Sequence, residues 1–200
     1  MANVTKSLTE LQKSDKYQRA LSLNLDCGSD TLRKLIDTIL DSKNVTLKKH
    51  LQDVAVQTKL NQLKKRKIIY SEQLKQLNSK KPDLLCMDIS LLTIVLLELI
   101  STTTTQVSNI TKLRQKRNEL AHMSRSQLDD DIPFNEASQI ITDLSKDVSP
   151  EFESEIKIQI QELKRRELVC THSNLDVVKL HNESLMVKLV EGGEDVKGKI

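Results

Sequence analysis

The residues best equipped for chemistry stand together in "RNELAH", residues 117–122. Arg117 carries a planar cationic fork whose geometry suits the oxygens of a phosphate. His122 carries an imidazole, the side chain whose charge changes nearest to neutral pH. Asn118 stands four residues before His122 and shares its helical face. An arginine on a phosphate beside an imidazole that moves a proton is suitable equipment for cutting RNA without a metal. The imidazole would take a proton from the ribose 2′-OH or give one to the leaving oxygen, while the guanidinium offsets charge on the phosphorane.

The element that must hold these groups is a helix over about 106–122. Ile110, Leu113, Leu120 and Ala121 form its apolar stripe, and Arg117 falls in the middle of it. A guanidinium there is costly to bury unless paired or hydrogen-bonded. Arg117 therefore pairs with a carboxylate of another element, such as Asp88 or the 151–168 segment, or faces a wet groove, or is the phosphate fork. On a straight helix Arg117 and His122 point about 140° apart. One helix does not complete such a site: either it ends by His122, or a second copy of the chain supplies the missing half.

The rest of the chain reads as helical. It is 38% hydrophobic and 30% charged, with only four glycines and three prolines, which disfavours strands and hairpins. Helices fit roughly 7–25, closed by "CGSD" with Gly28 just past the end, then "TLRKLIDTILD", then 46–66, which carries Leu47, Leu51, Val54, Thr58 and Leu63. Ser71 opens a short helix. Asp88 caps the apolar helix 89–101, the centre of a bundle, and Thr102–Thr105 reads as a turn. Pro133 opens a helix to about 146, and "VSP" ends the compact part. Residues 1–148 form the helical domain, 149–168 a separate amphipathic helix, and 169–200 a polar, disordered tail. The net charge of +3 excludes no partner class. The apolar run 89–100 is about half the length that crosses a bilayer, and "MANVTKSLTELQKSDKYQRA" lacks a signal peptide's apolar core. A cytoplasmic protein with no membrane contact is expected.

Four stretches occur in the order found in one subfamily of HEPN domains: "KYQRALSLNLDCGSDTLRKLID", "LNQLKKRKIIYSEQLKQL", "MDISLLTIVLLELI" and "ITKLRQKRNELAHMSRSQLDDDIPFNEASQIITDL". "RNELAH" fits the HEPN signature R-x4–6-H with a polar residue after the Arg. The chain resembles, over about residues 15–146, the subfamily named for the DAZ-interacting zinc-finger E3 ubiquitin ligase. The resemblance implies an all-α HEPN-type bundle that commonly forms homodimers. In catalytic members the Arg and His of two protomers meet in a composite, metal-independent ribonuclease site. It further implies that Arg117 contacts the scissile phosphate, His122 is the general acid or base, and Asn118 orients them. Members also accompany receptor, death-fold and ubiquitin-ligase modules in innate-immune and stress signalling, where the domain binds RNA or mediates assembly. Members often have "YGH" where this chain has "LAH".

The basic run Lys64, Lys65, Arg66 and Lys67, with Lys112, Arg114, Lys116 and Arg125, can form a path for a single-stranded RNA backbone, or simply solvated helix faces. His50, His172 and His181 have no metal-ligand spacing and read as surface residues. Asp129, Asp130 and Asp131 read as capping before Pro133 rather than as a metal site. Cys27 and Cys86 read as packing residues. No metal or cofactor is expected. Three readings follow: an RNA-binding and assembly module, an endoribonuclease on the same dimer, or a purely structural helical dimerisation domain.

Overall fold

Apolar residues at helical spacing build nearly everything that the computed structural model describes, residues 2–123 and 131–165. These are all-α, with no strand among them. Helix α1 (Ala2–Leu23) runs through a π-helical segment, Asn24–Gly28, straight into α2 (Ser29–Ser42). The expected break at "CGSD" is absent, and Gly28 keeps helical dihedrals of φ −63° and ψ −47°. It is instead a meeting point of helices. A Cβ there would lie 3.5 Å from Ile89 Cδ1 and 3.7 Å from both Ile141 Cδ1 and Leu113 Cδ2, so three later helices converge on it. Two buried side-chain donors of this segment bond within their own helix: Asn24 Nδ2 donates to the Ala20 carbonyl (2.9 Å) and Thr31 Oγ1 to the Cys27 carbonyl (2.8 Å).

The helix expected over 46–66 is two, α3 (Leu47–Leu51) and α4 (Val54–Lys65). Asp53 divides them, its carboxylate accepting from Ala55 N at 2.8 Å as the cap of α4. The break shifts the helical phase, so Val56, Leu60 and Leu63 are buried while Val54 is 80% exposed. Lys67, at φ 57°, ends α4, and Ile68 N donates back to the Leu63 carbonyl (2.9 Å). Helix α5 (Ser71–Leu77) folds back, and Gln57 Nε2 donates to Asn78 Oδ1 (2.9 Å) beside the start of α4. His50, expected on the surface, is half-buried because α3 turns inward; its Nε2 donates to the Leu99 carbonyl at 3.0 Å.

Helix α6 (Ile89–Ile94) continues as a second π-helical segment, Val95–Leu99. The Asp88 carboxylate caps it, accepting from Leu91 N at 2.7 Å. Most of this run is buried, as its composition requires. Helix α7 (Thr104–His122) starts at a capping box, with Thr103 Oγ1 accepting from Gln106 N (3.2 Å) and Gln106 Oε1 from Thr103 N (3.0 Å). Helix α8 (Ile132–Lys146) has Pro133 in its first turn and packs against α1, α2, α7 and α9 (Pro150–Arg165). Asp131 stands at its N-cap position, but its side chain makes no capping bond.

Helix α9 is no separate appendage: Phe152, Ile156 and Ile160 are buried against α8 and α1, and the compact unit extends through it. Arg19 Nη1 adds a bond to the Lys164 carbonyl at 3.0 Å. The tail expected over 169–200 lies outside the described residues. No described helix is long and apolar enough to cross a membrane.

Candidate functional site on helix α7

Three of the four positions of the α7 stripe behave as its spacing demands: Ile110, Leu113 and Leu120 are buried. Arg117 takes the place between Leu113 and Leu120 and is half-buried, while Ala121 is exposed. An arginine satisfies both surroundings by laying its alkyl stem on apolar neighbours and carrying its head outward. Here the head reaches sideways, and Nη1 donates to Asn118 Oδ1 at 3.2 Å. Arg117 makes no ion pair among the described residues. The Asp88 carboxylate caps α6 instead, and Glu153 of α9 pairs with Lys157 at 2.6 Å.

The α-helix persists to His122 before Met123 turns to extended dihedrals. Asn118 and His122 are exposed and share an open groove of about 490 Å³ with Thr111, Arg114, Gln115 and Glu119. Among the described residues all six lining positions belong to α7, and Arg117 is not one of them. The structure thus brings Arg117 to Asn118 and Asn118 beside His122, but does not close Arg117 upon His122 within one chain. That divergence is the one the helical angles require.

The basic residues divide. Lys116 Nζ lies 2.7 Å from Glu136 and 3.0 Å from Glu119, tying α7 to α8. Those carboxylates, Glu136 foremost, hold its ammonium above the usual lysine range. Its charge is engaged inside the fold. Lys112 and Arg114 are exposed on α7, and Lys64, Lys65, Arg66 and Lys67 are exposed at the end of α4. Helix α4 packs on the segment Val95–Leu99, whereas α7 packs on α1, α6 and α8. Arg125 lies outside the described residues.

A second cavity, about 620 Å³, lies between the first π-helical segment and α9, lined by Asp26, Cys27, Gln159, Glu162, Leu163 and Arg165. No sequence motif pointed to it, since its walls come from segments more than a hundred residues apart. Cys27 is buried there with its Sγ 3.6 Å from Gln159 Oε1. Burial, then the charges of Asp26 and Asp30, push the thiol up to about 11. A thiol that stays protonated is a packing group rather than a nucleophile. Cys86, also expected to pack, is exposed, with Sγ 3.7 Å from Asp83 Oδ2.

No family model matches the chain, and neither a curated protein nor a solved structure matches it.

Proposed function

We propose that the chain is a HEPN-type module for RNA binding and assembly, working in innate-immune or stress signalling. One observation carries the reading: α7 presents Asn118 and His122 on an outer groove that only α7 lines among the described residues, with the Arg117 guanidinium drawn to Asn118. Exposed cations and hydrogen-bonding groups on one helix face are suited to a phosphodiester backbone. A face that no other described element covers is also suited to a second copy.

The narrower reading is a metal-independent endoribonuclease. The Arg117–Asn118 contact favours it, because that contact turns the guanidinium toward the His122 side. The chemistry then needs a second protomer, since Arg117 stays out of the groove. The test is incubation of labelled single-stranded RNA with the protein in EDTA, beside Arg117→Ala and His122→Ala. Binding that both substitutions weaken supports the module. Cleavage to a 2′,3′-cyclic phosphate that vanishes in either variant establishes the enzyme. Wild-type protein that neither binds nor cuts RNA, while remaining folded, overturns both and leaves a structural dimerisation domain.

A further inference from the structure

Charge is unevenly spread over this fold. Residues 43–83, which contain α3, α4 and α5, hold eleven of the 31 lysines and arginines against three acids. That is a formal +8 in a chain of net +3, so the remainder is net negative. The three acids are occupied locally: Asp53 caps α4, Asp83 accepts from Leu85 N at 2.9 Å, and Glu72 pairs with Lys75 at 2.8 Å. Lys59 crosses to Glu98 of the second π-helical segment at 3.0 Å. The other nine cations are exposed and make no ion pair among the described residues.

Their placement exceeds what helix stability asks for. Lys64 and Lys65 occupy the last turn of α4, where cations complement the helix dipole. Arg66 and Lys67 lie beyond that turn, and Lys80 and Lys81 follow α5 in a connection. Lys43, Lys48 and Lys49 add to the same lobe around α3. Like charges this dense repel one another and raise the local potential, which a bound polyanion relieves. Tyr70, 66% exposed, begins α5 just beyond the "KKRK" end of α4, where its ring is available to a base. A lipid surface would instead call for aliphatic anchors beside the cations. The exposed aliphatics here are two residues far apart in sequence, Val54 at the opposite end of α4 and Leu85 after the Lys80–Lys81 connection, rather than a run beside the "KKRK" end.

We infer that the α3–α5 lobe is the anchoring surface for the phosphodiester backbone of single-stranded RNA, with the "KKRK" end of α4 and Tyr70 at its centre, apart from the α7 groove. The identity of the polyanion rests on the RNA reading above. The location does not, because it follows from charge and exposure.

The test is anisotropy titration of the full chain with a labelled oligouridylate between about 50 and 200 mM salt, where each lost phosphate contact on a single strand removes about 0.7 from the log–log salt slope. Glutamine at Lys64, Lys65, Arg66 and Lys67 together is expected to weaken binding about hundredfold near physiological salt and reduce the slope by up to about 2.8. Lys80→Gln with Lys81→Gln, outside any helix, is expected to cost about tenfold, guarding against a folding artefact of the first variant. Lys157→Gln on α9 serves as a charge control, expected to bind as wild type. RNA binding that survives unchanged in both lobe variants overturns the lobe and leaves the RNA reading standing. Wild-type protein that ignores RNA but binds phosphatidylserine vesicles through the same lysines overturns the occupant together with that reading.

Discussion

Replacing Ile156 by alanine tests whether α9 is part of the core in solution. Ile156 is wholly buried, and α9 packs on α8 and α1. The change removes three carbons, about 2–2.5 kcal/mol of transfer free energy at roughly 0.8 kcal/mol per group. The cavity left behind raises the cost to about 3–4 kcal/mol. In a unit of this size each kcal/mol lowers Tm by about 2–4 °C, so a drop of roughly 6–15 °C is expected by calorimetry or circular dichroism. Ile158, two residues away and 60% exposed, is the control. Its change to alanine should stay within about 0.5 kcal/mol. Urea melts of both variants check the heat data, with the slope m unchanged if only the native state is affected. If Ile156→Ala costs no more than Ile158→Ala, α9 is not docked, and a core that includes it is refuted.

Three further outcomes are expected. Gly28→Ala should stabilise the fold by about 0.5–1 kcal/mol, since the dihedrals are helical and the new methyl meets only ordinary contacts; a melt showing clear destabilisation would mean the helices approach more closely there. Cys27 should resist alkylation while Cys86 reacts readily, as read by peptide mass mapping. For Cys27, burial pushes the thiol up to about 11, so its contribution to stability is fully present below the ordinary thiol value of 9.0 and lost as pH rises through 11, because only the unfolded thiol ionises in between. The wild type should therefore lose on the order of 2–3 kcal/mol over that window that Cys27→Ala does not lose. Lys116→Gln should leave RNA affinity within about twofold while Arg114→Gln weakens it several-fold. The reason is that Lys116 is held by Glu119 and Glu136, whereas Arg114 faces the open groove. Equal losses in a binding titration would refute that division.

Helical composition, the apolar spacing of α7, α8 and α9, the Asp88 cap and the burial of the 89–100 run were all legible in the sequence, because each is written within a few residues of itself. So was the divergence of Arg117 from His122, which helical angles dictate without any neighbour. What only the tertiary structure decided depends on residues far apart in the chain. Gly28 was read as a helix stop because glycine ends helices more often than it crosses them. Its role became visible only with Ile89, Leu113 and Ile141 around it. The division at Asp53 turned on whether its carboxylate caps a backbone amide or points to solvent, and it caps Ala55 N. Lys116 and Lys112 are equivalent as letters, yet one meets Glu136 from a helix that begins sixteen residues later and the other does not. A side chain's local neighbours set which helical face it occupies. Whether that face meets a carboxylate, an apolar wall or water is set by the element packed against it, and that is a property of the assembled bundle.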